Sequence, residues 1–73
     1  MSEFLKFFNE AVNYYPMHME ISYSKTTDWI IHIWKVMDDN VEIVFAQDND
    51  MELAFAKAQV ELKEWLLKNR GGY

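Results

Sequence analysis

The sequence predicts an α+β fold in the order αβββα, a three-stranded antiparallel meander with two helices packed on one face. Three observations carry this. Apolar residues recur with helical period at both ends of the chain, and they alternate with period two in the middle. Only two Gly and one Pro occur in 73 residues, too few for long loops. Successive strands joined by short polar turns pair antiparallel, and helices at either end are most simply laid over one face.

The first helix is expected over residues 2–15. Ser2 is placed to cap the first turn, and Glu3 suits the positive end of the helix dipole. Phe4, Leu5, Phe7, Phe8, Ala11, Val12, Tyr14 and Tyr15 follow helical spacing, and Pro16 disfavours helical geometry at Tyr15 and ends the run. Residues 17–24 then alternate Met17, Met19, Ile21 and Tyr23 with His18, Glu20, Ser22 and Ser24, the mark of a strand with one buried face. Lys25 to Asp28 read as a polar turn. Trp29 to Val36 form the second strand, apolar on both faces. Asp38, Asp39 and Asn40 read as a short hairpin loop, and Val41 to Gln47 as the third strand. The last helix runs from about Asp50 to Asn69. Asn49 and Glu52 have capping-box spacing, Lys68 and Arg70 lie at the negative end, and Gly71 terminates it.

Composition bounds what such a domain does. Seven Lys and Arg against twelve Asp and Glu leave a net charge of −5. That balance opposes gripping a phosphate backbone, so no direct nucleic-acid partner is expected. The absence of Cys excludes disulfides, thiolate metal sites and a Cys nucleophile. No stretch approaches the roughly 20 apolar residues that span a bilayer, and Met1 to Lys6 lack the pattern of a leader, so no membrane partner and a cytoplasmic location are expected. Residues 1–73 read as a single small domain. At this size the entropy of ordering, on the order of 1.5 kcal/mol per residue, nearly cancels the gain from apolar burial. Domains of this kind often draw on a second subunit, and a homodimer is the expectation.

The surplus apolar surface lies in two places. At about 100° per residue, Met51, Ala54, Phe55, Ala58, Leu62, Trp65 and Leu66 share one face of the last helix. Leu53, Val60 and Leu67, spaced by seven, fall on the opposite face together with Ala56. This second stripe is expected to be covered by the first helix or to serve as a dimer seam or docking surface. The sheet supplies the other place. Pairing Tyr23 with Trp29 and Met37 with Val41 keeps side-chain parity across both hairpins. That register puts Met19, Ile21, Tyr23, Trp29, Ile31, Ile33, Ile43 and Phe45 under the helices. It leaves Ile30, Trp34, Val36 and Val44 as a patch on the other face, a candidate interface anchored by Trp34.

Catalytic and cofactor chemistry is sparse, and no catalytic residue, metal ligand or cofactor is assigned. His18, Glu20 and His32 share the outer sheet face, but their spacing matches no ligand motif and a flat sheet encloses no pocket. Asp48 to Glu52 open like a calcium loop, yet Leu53 stands where the loop needs Gly and Gln59 where it needs a bidentate Glu. Helix capping accounts for those acids. The element order resembles that of the double-stranded-RNA-binding domain over most of the chain. That family places a basic cluster at the start of its second helix; Asp48, Asp50 and Glu52 stand here instead, so the resemblance extends to layout alone.

Between Val36 and Ala56 the charges are Asp38, Asp39, Glu42, Asp48, Asp50 and Glu52, with no base among them. Such an acidic edge suits docking onto a basic protein surface. The expectation is therefore a non-enzymatic protein-interaction module, homodimeric through Leu53, Val60 and Leu67 or through the Trp34 face. The alternative is an acidic inhibitor of the phage or mobile-element type that imitates nucleic acid and blocks a basic site on a target.

Overall fold

A computed structural model of the chain describes residues 3–36 and 38–72, with the side chains of residues 38–40 outside the description. The expected Ser2 cap, the Met37 pairing and the side chains of Asp38 and Asp39 therefore lie outside the described residues. The observed order is α1 (Glu3–Ala11), β1 (Met17–Ser24), β2 (Asp28–Lys35), β3 (Asp38–Asp48) and α2 (Met51–Arg70), which is αβββα. The strands form one antiparallel sheet in the order β1-β2-β3.

α1 stops four residues short of the expected end. The Val12 and Tyr15 amides still donate to Phe8 and Ala11, but Asn13 and Tyr14 donate three residues back, to Glu10 and Ala11. The chain tightens through Asn13 and two aromatics before Pro16, all poor residues for prolonging a helix. The first hairpin matches expectation, with Tyr23 opposite Trp29 and the ladder unbroken from Met17↔Lys35 to Ser24↔Asp28. Its turn is held by Ser24, whose Oγ accepts from the Thr27 amide at 3.0 Å. Asp28 closes it at φ 61°, a left-handed conformation that Asp tolerates better than most residues.

The second hairpin differs from expectation by one residue. Trp29 faces Asp48, His32 faces Phe45 and Ile33 faces Val44. Asp38 to Asn40 belong to the strand rather than to a loop, with Lys35 opposite Asp38. A one-residue slip moves side chains to the opposite face. Val44 and Ala46 therefore lie in the core, and Phe45 is on the outer face, 46% exposed. The register shifts again between Ile33 and Trp34, so that Trp34 faces Glu42 and Ile43 is the extra residue of a β-bulge. The bulge lets Ile43 and Val44 both reach the core.

α2 covers β3 and part of β2, with Ala54, Ala58, Leu62 and Leu66 fully buried beneath it. Small residues on the helix and the small Val44 and Ala46 on the strand belong to one core, and this is where the bulkier Phe45 would hold the layers apart. α1 packs along the flank of α2: Phe4 stacks on Phe55 at 5.5 Å and Tyr15 meets the edge of Trp65 at 5.2 Å. The two helices thus run in the same direction. Their cover ends at Met19, and Ile21 and Tyr23, expected under the helices, are 39% and 56% exposed.

Candidate protein-interaction surfaces

The first surface is the solvent side of α2. Asp50, rather than Asn49, is the N-cap: its carboxylate accepts from the Glu52 and Leu53 amides at 2.8 and 3.2 Å. Gly71 ends the helix in the left-handed conformation that a residue without Cβ adopts readily. Helix phase then sets Leu53, Val60 and Leu67 one above another. Because α1 occupies the Phe55 flank, it does not reach this row, and the three are 54%, 56% and 54% exposed. Ala56 joins them, and Lys57 and Glu64 border them.

The second surface is the outer face of the sheet. Trp34 is its centre, with the His18 and His32 rings each 4.6 Å away. Phe45 extends the row, meeting His32 edge-on at 5.6 Å. Phe45 thus takes the place assigned to Val44, which is 1% exposed and belongs to the core because β3 is shifted by one residue. Ile30 is half-buried on this face opposite Gln47, and Val36 is exposed beyond the end of β2. Glu20 lies opposite His32 in the ladder, but the His32 Nε2 pairs with Glu42 at 2.9 Å, and His18 approaches Glu20 at 3.9 Å. Among the described residues no cluster of His and acids is arranged to hold a metal ion.

The third surface is the acidic edge, which the fold partly dismantles and partly extends. Asp48 accepts from the Lys57 ammonium at 2.8 Å, and this bond holds its carboxyl below the usual range. Asp50 is engaged as the helix cap, and Glu42 pairs with His32. Glu52 remains exposed in the first turn of α2. The packing of α2 along β3 adds Glu61 and Glu64, which sequence order alone leaves unconnected to the strand. Burial pushes the Glu61 carboxyl up, and the nearby Glu42 and Glu64 push it further the same way. Only the helix-to-strand contact reveals these acids as one group.

No described helix is long and apolar enough to cross a membrane. Comparison with protein-family models, with curated proteins and with solved structures finds no match to this chain.

Proposed function

We propose that this chain is a small, acidic, non-enzymatic protein-interaction module that self-associates as a homodimer and displays the outer side of α2 as a contact surface. One observation carries the reading. Leu53, Val60 and Leu67 form a row of large apolar side chains, each more than half exposed, on a helix whose opposite face already fills the core. Scattered exposed Leu residues are ordinary, but a row running along one side of a helix is a surface suited to a partner. Apolar contacts are insensitive to ionic strength, so the association expected is salt-resistant. The test is solution mass by light scattering at low and high salt, with the parent chain and a Val60→Glu, Leu67→Glu double variant. The variant is expected to fold and to lose whichever contact uses the stripe, with its own copy or with another protein. Unchanged association in both settings removes the stripe from the reading.

A second reading, the acidic inhibitor that occupies a basic site on a target protein, draws support from Glu42, Glu61 and Glu64 lying together on the β3 side. Attraction of that kind accelerates encounter and weakens with salt. Reversal of Glu61 and Glu64 to Lys is expected to abolish binding to a basic target and to spare the fold. Target binding that is indifferent to both the reversal and added salt rejects this reading.

A further inference from the structure

The two edges of the sheet are built differently. β3 is interrupted by the bulge at Ile43, and acids line it at Glu42 and Asp48 with Glu61 alongside. Bulges and charges are the devices that keep an edge strand from pairing with another chain. β1 has no bulge, and Glu20 is its one carboxylate. Its eight residues, Met17–Ser24, pair with β2 without a break and contain no Pro, Lys or Gly, and among the described residues no strand lies on its other side. The apolar face of this strand also runs past the helices, leaving Ile21 and Tyr23 exposed.

We infer that β1 is the seat of a second copy of this chain, added antiparallel across a two-fold axis through Ile21 to give a continuous six-stranded sheet. The register follows from symmetry and charge. Directly opposed antiparallel residues share a face, so the axis has to pass through a residue rather than between two. An axis at Glu20 sets Glu20 against its own copy, a like-charge pair. An axis at Ser22 shortens the overlap to residues 20–24. An axis at Ile21 pairs residues 18–24 and sets Ile21 against Ile21 and Met19 against Tyr23, so that the uncovered apolar side chains cover one another. On the outer face it sets Glu20 against Ser22 and His18 against Ser24, with no like charges opposed. The axis stands perpendicular to the sheet, so both copies carry their helices on the same side and both α2 stripes remain displayed. This rests on the self-association proposed above and assigns it to a different surface from the stripe.

The experiment uses the position on the axis. Ile21→Lys and Ile21→Glu are prepared separately, with circular dichroism to verify the fold, and their solution masses are measured where the parent chain is dimeric. Each alone is expected at half the parent mass, because residue 21 meets its own like charge. An equimolar mixture is expected to recover the dimer as a Lys–Glu heterodimer. As a second route, Ile21→Cys in this otherwise Cys-free chain is expected to oxidise to a cross-linked dimer, whereas Thr26→Cys is not. A dimer that persists in Ile21→Lys, a mixture that stays monomeric, or an Ile21→Cys chain that fails to cross-link each overturns the edge assignment. A dimer lost in Val60→Glu, Leu67→Glu but kept in Ile21→Lys overturns it in favour of the stripe. A parent chain that remains monomeric overturns both this inference and the self-association beneath it.

Discussion

Lys57 ties the end of β3 to the start of α2. Its ammonium donates to the Asp48 carboxylate at 2.8 Å and to the Gln47 carbonyl at 3.2 Å, while Asp48 accepts from the Asp50 amide at 2.9 Å. Lys57 and the turn backbone thus stabilise the ionised form of Asp48, whose proton affinity falls below the ordinary value of 3.8. The sign of the linkage follows. A carboxyl with a depressed folded-state pKa contributes stability that is present above the unfolded value and is lost as pH falls through the folded one. Asp48→Asn is therefore expected to flatten the decline of stability on acidification below about pH 4. Urea midpoints for parent and variant between pH 7 and pH 2 check this, and parallel curves would reject it. Glu61 carries the opposite sign, since its raised proton affinity makes its ionisation a cost to the fold once pH exceeds the unfolded value.

At the scale of elements, α2 owes its start to Asp50. Asp50→Ala leaves the Glu52 and Leu53 amides without their capping acceptor and is expected to cost about 1 kcal/mol, measurable by chemical denaturation. A loss below about 0.3 kcal/mol would mean that the first turn is held by packing instead. The five elements were legible because each shows a period of its own, and the first hairpin's register was legible because β1 has one apolar face. The register of β3 was not. Its odd positions offer Val41, Ile43 and Phe45 and its even positions offer Val44 and Ala46, so alternation alone favours the bulkier set. What decides is the close approach of Ala54 and Ala58 on α2, a tertiary term absent from the strand's own pattern. The same cause moved Phe45 into the outer face and Val44 out of it. Of the α2 stripe, by contrast, every residue was readable, because helix phase fixes direction without reference to neighbours.

Across the whole molecule, the chain leaves the three-stranded sheet with one face under helices and the other carrying the Trp34 row, and with unlike edges. The acidic group on the β3 side was only half visible in the sequence, since Glu61 and Glu64 join it through packing rather than adjacency. The common direction of α1 and α2 has a mechanical consequence. Phe4 lies beside Phe55 near the start of α2, and Tyr15 lies beside Trp65 near its end. Residues 3 and 72 therefore sit at opposite ends of a 20-residue helix, about 30 Å apart at 1.5 Å per residue. Tension applied between them runs along the helices and loads the α1–α2 contact in shear, every packed ring resisting at once, rather than peeling one element away. A linker joining residue 72 back to residue 3 has to bridge that length, about nine extended residues.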